Sequence, residues 1–275
     1  MHLFPNKYIH RHKSVLCYNS LFKGEIYMAL IAYISDLHLD DIPREEALRR
    51  IELLNEVEAD YLVMAGDICS NRIVKTLFDQ IKPNVKKIIM VRGNHEYYNN
   101  YIGYEVDYPE HVVMLDSETP KYFDDVRFIG DTLWTEIDEY VKTKIQSVMN
   151  DYHYIYQNFK QTSLIDPDFI NDLHFQQKEN IKKLLQLPNG GRKTVVVTHH
   201  SPSFEGVVMK YLGNMINSAF HSNFLDEISE MDISYLIHGH CHDRIEYNVN
   251  DIKVRCNPMG YYGERGIVQV DYFEV

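Results

Sequence analysis

Short unbroken apolar runs alternate along this chain with segments whose apolar residues recur every three or four positions. Leu30 to Ile34 is an apolar run of strand length that ends at Ser35-Asp36. Arg44 to Val57 carries Ala47, Ile51, Leu54 and Val57 at helical spacing, with charged residues between them. Tyr61 to Met64 has the pattern of a second buried strand, closed by Gly66-Asp67. Ile73 to Ile81 is helical, with Pro83 just beyond. Lys87 to Val91 is a third strand, ending at Gly93-Asn94. This β-α-β-α-β order predicts parallel strands joined by right-handed crossovers. In such sheets, sites form at the carboxyl ends of the strands.

The second half reads differently. Tyr122 to Phe128 and Thr132 to Trp134 are expected as strands around turns at Asp124-Asp125 and Gly130-Asp131. Val195 to Val197 and Tyr235 to Ile237 are short buried strands, leading into His199 and His240. Arg244 to Asn248, Ile252 to Cys256 and Ile267 to Val270 are expected as short antiparallel strands, so a second sheet packed on the first follows. The segment 136–187 is helical in pattern and rich in tyrosine (Tyr140, Tyr152, Tyr154, Tyr156). It is expected to form a helical layer, part of which overhangs the site and shapes access. Residues 1–27 read as an N-terminal extension, a candidate for disorder, and residues 28–275 as a single domain.

Composition narrows the class. The chain has 275 residues, 45% of them apolar and 25% charged, which suits a globular protein with a substantial core. Its 28 basic and 40 acidic residues give a net charge of −12. That charge argues against stable nucleic-acid binding, which depends on neutralising phosphates. Cys17, Cys69, Cys241 and Cys256 form no Cys-x-x-Cys pair, so reduced thiols and a cytoplasmic location are expected. No run approaches the roughly 20 apolar residues of a membrane span, and no membrane association is expected.

The chemistry lies in five short motifs: Asp36-Leu37-His38, Gly66-Asp67, Gly93-Asn94-His95-Glu96, His199-His200 and Gly239-His240-Cys241-His242. Together they supply enough oxygen and nitrogen donors for two divalent cations, the usual machinery for in-line attack on a phosphorus ester. In an extended chain Asp36 and His38 would point the same way and grip one metal, as would His240 and His242. Cys241 would then turn away into packing. Asp67, after a glycine, could bridge two cations with its two oxygens. Asn94 offers a neutral amide oxygen. His95, next in the chain, should point elsewhere: toward substrate phosphate, or as the acid that protonates the leaving oxygen. Asn94, His95 and Arg92 are thus the substrate-facing candidates, with Arg92 open between a bidentate phosphate contact and a surface arginine. Of the adjacent pair, His199 is taken as the ligand because it lies nearer the strand end. His200 and His238 are left to orient ligands or pack.

These residues resemble the calcineurin-like metallophosphoesterase superfamily. The stretches 126–135, 198–203 and 256–264 are similar to a bacterial subgroup of phosphohydrolases. The resemblance implies an α/β fold: a four-layer α/β/β/α sandwich with two central mixed sheets and a dinuclear site at the strand ends. It implies that Asp36, His38 and His242 hold one metal, that Asn94, His199 and His240 hold the other, and that Asp67 bridges. Asp67 and His95 are the catalytic pair on this reading. The cofactors would be two divalent cations, manganese foremost, with iron, zinc and nickel compatible. A metal-activated hydroxide would then hydrolyse a small phosphorylated substrate, a phosphodiester or nucleotide favoured over a phosphomonoester. A repair nuclease and a protein phosphatase fit less well, since the chain shows neither a basic duplex-binding track nor a substrate-groove feature. A non-catalytic scaffold keeping the fold is the alternative of another class, and the complete ligand set speaks against it.

Overall fold

The computed structural model describes residues 28–70, 74–206, 213–264 and 268–275. The extension expected over residues 1–27 lies outside them. From the first described residues the chain runs through β1 (Leu30–Ile34), α1 (Arg44–Asn55), β2 (Tyr61–Ala65), α2 (Val74–Phe78) and β3 (Lys87–Val91). After β4 (Asn100–Tyr101) and β5 (Val112–Met114) come β6 (Lys121–Phe123) and β7 (Val126–Asp131). The helical segment comprises α3 (Lys142–Val148), α4 (Asp151–Tyr154), β8 (Ile155–Tyr156) and α5 (Pro167–Gln186). Then follow β9 (Lys193–Thr198), α6 (Phe224–Ile228), β10 (Tyr235–His238), β11 (Ile245–Val249), β12 (Ile252–Cys256) and β13 (Asp271–Glu274).

Two mixed sheets form the centre. One has the order β13-β1-β2-β3-β5 and the other β11-β12-β10-β9-β7-β6. Strands β1, β2, β3 and β5 are parallel, as are β7, β9, β10 and β12, while β13, β6 and β11 run antiparallel to their neighbours. Pleat alternation sends each strand's side chains into two cores. Ile31, Tyr33, Val63 and Ile89 of the first sheet meet Phe128, Val195, Val197 and Ile237 of the second. Ala32, Ile34, Leu62 and Met64 face Ile51, Leu54 and Phe78 of the first two helices. Val196, Leu236 and Val254 face Ile181, Leu184, Phe224 and Ile228 of α5 and α6. Helix, sheet, sheet and helix are thus stacked as four layers, matching the expected sandwich. A further core under the cavity wall joins Tyr97, Trp134, Ile145, Tyr152, Ile155 and Ile170.

Several local expectations are corrected. The hairpin at Asp124-Asp125 forms, but Gly130-Asp131 is no turn: β7 runs straight through it. A Cβ on Gly130 would lie 2.1 Å from the Val197 carbonyl oxygen, so this glycine serves close strand packing. Thr132 to Trp134 is not a strand, because the Thr132 carbonyl accepts the amides of His199 and His200, both at 3.1 Å. Strand β12 pairs in parallel with β10 rather than lying in an all-antiparallel set. The strand expected at Ile267 to Val270 falls partly outside the described residues, and the last strand is Asp271–Glu274, antiparallel to β1. Likewise the helix expected from Ile73 is described only from Val74 to Phe78.

The long helix α5 is fixed at both ends. The Asp166 side chain accepts the Phe169 amide at 2.9 Å, an N-cap followed by Pro167 at the first helical position. At the other end the fully buried Arg127 of β7 donates to the Leu187 carbonyl at 2.7 Å and to Thr194 Oγ1 at 2.9 Å. A guanidinium there satisfies a carbonyl left over by the helix and sits at the negative end of its dipole. Replacing Arg127 with Ala is expected to lower stability by roughly 3 kcal/mol, through an unpaired buried carbonyl and a cavity. The urea midpoint checks this: an unchanged midpoint would show that the contact contributes nothing.

Candidate metal centre

The five motifs converge where β1, β2, β3, β9 and β10 end. Each strand stops because its next residues leave the ladder, and the departure is abrupt. Asp36, His38, Asp67, His240 and His242 all have positive φ, between 43° and 66°. The chain is therefore not extended at Asp-x-His or His-x-His, contrary to the pleat argument. Left-handed residues at i and i+2, a conformation that Asp and His tolerate better than most, turn the chain so that the two side chains meet. Cys241 correspondingly borders the cavity rather than turning away from it.

Glycine precedes Asp67, Asn94 and His240 for steric reasons. Gly66 has φ +85°, and a Cβ on it would meet His199 Nδ1 at 2.4 Å. A Cβ on Gly93 would meet Asp67 Oδ1 at 2.0 Å. The turns are tied together by Glu96, which is fully buried and accepts the amides of Gly93, Asp67 and Ile68 at 2.5, 2.9 and 2.7 Å. The acid of the Gly-Asn-His-Glu motif thus holds two motifs in register.

Three donor groups are able to bind metal: Asp36-His38-His242, His38-Asp67-His95 and Asp67-His199-His240. Asp67 joins the last two. Its Oδ1 lies 3.4 Å from His199 Nε2, and its Oδ2 lies 3.8 Å from His38 Nε2 and 3.9 Å from His95 Nε2. Of the two adjacent histidines, His199 enters the donor groups. His200 lies against the Trp134 and His240 rings, and burial pushes its pKa well below the ordinary value. His238, also buried, is pushed down to about 4 by burial.

The chemistry of the donor set fits divalent cations. His199 Nδ1 donates to the Ala65 carbonyl at 2.9 Å, so in a neutral ring Nε2 presents a lone pair. In that neutral ring the lone pair would face Asn94 Oδ1, another acceptor, at 3.0 Å; against burial, the adjacent Asp67 pushes the His199 pKa up to about 10, so a proton holds this place unless a cation takes it. The amide orientation follows from the far side, where Asn94 Nδ2 donates to the buried Asp151 at 2.8 Å. On the other side of Asp67, His242 Nδ1 donates to Glu264 at 2.7 Å, which turns its Nε2 toward His38 Nε2 at 3.0 Å and Asp36 Oδ1 at 3.5 Å. Acceptors facing acceptors in a buried setting are what a cation satisfies, and carboxylate or carbonyl partners on the outer ring nitrogens orient metal-binding histidines. Asp36 is further held by Ser35 Oγ at 2.5 Å and the His240 amide at 3.0 Å.

Electrostatics follow this placement. Burial acts to raise the Asp67 pKa, but the facing His199 and His95 hold it well below the ordinary carboxylate value. Burial likewise opposes the charge on His95, and Asp67 and Asp41 outweigh it, pushing His95 up to about 9. The His95 ring is clamped: Nδ1 lies 3.2 Å from Asp41 Oδ2, Nε2 lies 3.1 Å from the Tyr261 hydroxyl, and the ring stacks on Tyr98 at 4.2 Å.

Above these residues opens a cavity of about 340 Å³, floored by Asp67, Asn94, His95, His240 and His242. Part of its wall comes from the tyrosine-rich segment, through Val148, Met149, Asn150 and Asp151. Its tyrosines are not the wall: Tyr140 is exposed and Tyr152 is buried in the core beneath. Arg92 does not line the cavity; its guanidinium lies over the Tyr97 ring at 5.7 Å. Sequence reasoning gave no role to Asp41, Asp151, Tyr261 or Glu264. Asp41 follows the first motif closely and Tyr261 and Glu264 lie in the stretch 256–264, so a signal existed for these three; Asp151 has none.

Comparison with known proteins agrees with the geometry. The family model for calcineurin-like phosphoesterases matches residues 29–244, a span holding all five motifs. The uncharacterized protein L509 of Acanthamoeba polyphaga mimivirus is 32% identical over 266 residues, covering 86% of this chain and 93% of its own. Among solved structures, the phosphopantetheinyl hydrolase PptH of Mycobacterium tuberculosis shares the fold with a TM-score of 0.66 at 14% identity, over 88% of this chain and 95% of that one. No helix among the described residues is long and apolar enough to cross a membrane. With its family motifs gathered into donor groups able to bind metal, the chain belongs to the calcineurin-like phosphoesterases and is a metal-dependent phosphoric ester hydrolase.

Proposed function

We propose that this protein hydrolyses a small phosphodiester or nucleotide at a dinuclear centre. Asp36, His38 and His242 hold one cation, Asn94, His199 and His240 hold the other, and Asp67 serves both. The observation that carries this reading is Asp67, whose two oxygens face different histidines from the centre of a donor set in which only His242 is half-buried and the rest are buried. Manganese is the first cation to test, with iron, zinc and nickel compatible with mixed nitrogen and oxygen donors. When bound, such a pair supplies positive charge for the phosphoryl oxygens and acidifies a water for attack.

The side chains do the rest. Asp41 accepts from His95 Nδ1 and so aims Nε2 into the cavity. From there His95 can give a proton to the oxygen that leaves phosphorus. Glu264 and Ala65 fix the rings of His242 and His199, and Asp151 fixes the Asn94 amide. A diester is favoured by the space beyond the donors, where Met149, Ile216 and Phe220 offer an apolar wall to a second substituent.

Three outcomes follow. Asp67→Asn should lose at least one of two bound metals per chain together with all measurable turnover; retention of both metals and rate, by elemental analysis and assay, would refute the shared role. Chelator-stripped protein reloaded with manganese should cleave bis(p-nitrophenyl) phosphate faster than p-nitrophenyl phosphate, whereas turnover of the monoester alone would overturn the diester preference. His95→Gln should keep both metals and lose on the order of 10²-fold in kcat, the usual contribution of a positioned acid; an unchanged kcat would remove His95 from the reaction.

A further inference from the structure

Tyr261 is held at the cavity with unusual care for a residue in a loop. Its neighbours Met259 and Gly260 donate their amides to the Ser35 and Asp36 carbonyls at 2.9 and 3.0 Å, so the loop is laced to the first metal-binding motif. The Gly260 carbonyl accepts from the buried Arg50 of α1 at 2.8 Å, and the same Arg50 nitrogen donates to the Leu37 carbonyl at 2.7 Å. Glu264 accepts the Tyr261 amide at 2.8 Å with the same oxygen that receives His242 Nδ1. The Tyr261 ring rests on His38, with ring centroids 4.4 Å apart.

These contacts deliver the hydroxyl to one place, 3.1 Å from His95 Nε2 at the cavity border. Two hydrogen-bonding groups at that spacing, from different loops, can reach neighbouring oxygens on one phosphorus. A phenol donates a hydrogen bond at neutral pH without changing charge. Preorganised donors of this kind act where charge develops, and need no rearrangement when it does.

We propose that Tyr261 is a substrate-contacting residue that forms, with His95, a two-donor fork for adjacent oxygens of the phosphoryl group, one of them the leaving oxygen. The proposal rests on the phosphoesterase reading above. Neighbouring Tyr262 is largely exposed and supplies the control.

The experiment compares the manganese-loaded wild-type protein with Tyr261→Phe, Tyr262→Phe, His95→Gln and the Tyr261→Phe/His95→Gln double variant. Rates are read on aryl methyl phosphodiesters of rising leaving-group pKa, and binding of inorganic phosphate is read by calorimetry. Tyr261→Phe should keep two metals per chain, bind phosphate about tenfold more weakly, and lose on the order of 10²-fold in kcat/KM on the poorest leaving group, with a smaller loss on p-nitrophenolate. On the His95→Gln background the further loss should be much smaller, because the two donors act on one group. Tyr262→Phe should change nothing. Equal losses for all leaving groups, full additivity with His95→Gln, or unaltered phosphate binding would each overturn the fork. Lost metal in Tyr261→Phe would overturn it too, making the tyrosine a support for His38. Phosphate binding reads the proposal even if no diester is turned over, whereas absent turnover in the wild-type protein would count against the phosphoesterase reading itself.

Discussion

A carboxylate with almost no exposure sits where two sheets end, and the site depends on keeping it charged. Asp67 shares its surroundings with two more buried acids, Asp36 and Glu96, and with Asp151 close behind Asn94. Burying an ionised carboxylate is costly unless charge and hydrogen bonds compensate. Backbone amides compensate Glu96 in part, burial still pushing its pKa up to about 7, and a serine hydroxyl and a backbone amide compensate Asp36. Among the described residues Asp67 accepts the His95 amide, at 2.9 Å, and otherwise faces histidines. The environment is built so that cations, rather than hydrogen bonds, complete the balance.

Assembling that environment strains the backbone. Five of the donor residues lie in the left-handed region, each at a cost on the order of 1 kcal/mol or more. Such conformations persist where the surroundings over-determine them. Here the over-determination comes from strands β1, β2, β9 and β10, whose residues are almost wholly buried from both faces. The rigid sandwich thus supports a ring of otherwise unfavourable turns, and the turns aim the donors.

Much of this was legible in the sequence, for identifiable reasons. Strands buried on both faces read as continuous apolar runs, which is why β1 and β3 were found to the residue and β2, β9 and β10 to within about two. The edge strand β13, Asp-Tyr-Phe-Glu, has no such run and was read too early in the chain. Gly130 was read as a turn because a glycine needed for close strand approach looks the same in sequence. The donor types were plain from motif order, but the route by which they meet was not, since pleating and left-handed turns both bring i and i+2 together. Asp151, far along the chain from Asn94, becomes visible only when α4 is folded against the site. Arg92 carried a charge suited to phosphate, but its packing on Tyr97 was a tertiary fact.

The proposed centre turns on one carboxylate, Asp67, serving two cations at once. The most direct test is electron paramagnetic resonance of the protein loaded with two equivalents of manganese(II). Two ions sharing a carboxylate bridge are expected to give an exchange-coupled spectrum that collapses to that of isolated ions in Asp67→Asn. A wild-type spectrum of magnetically independent ions, or saturation at a single ion per chain, would contradict the claim.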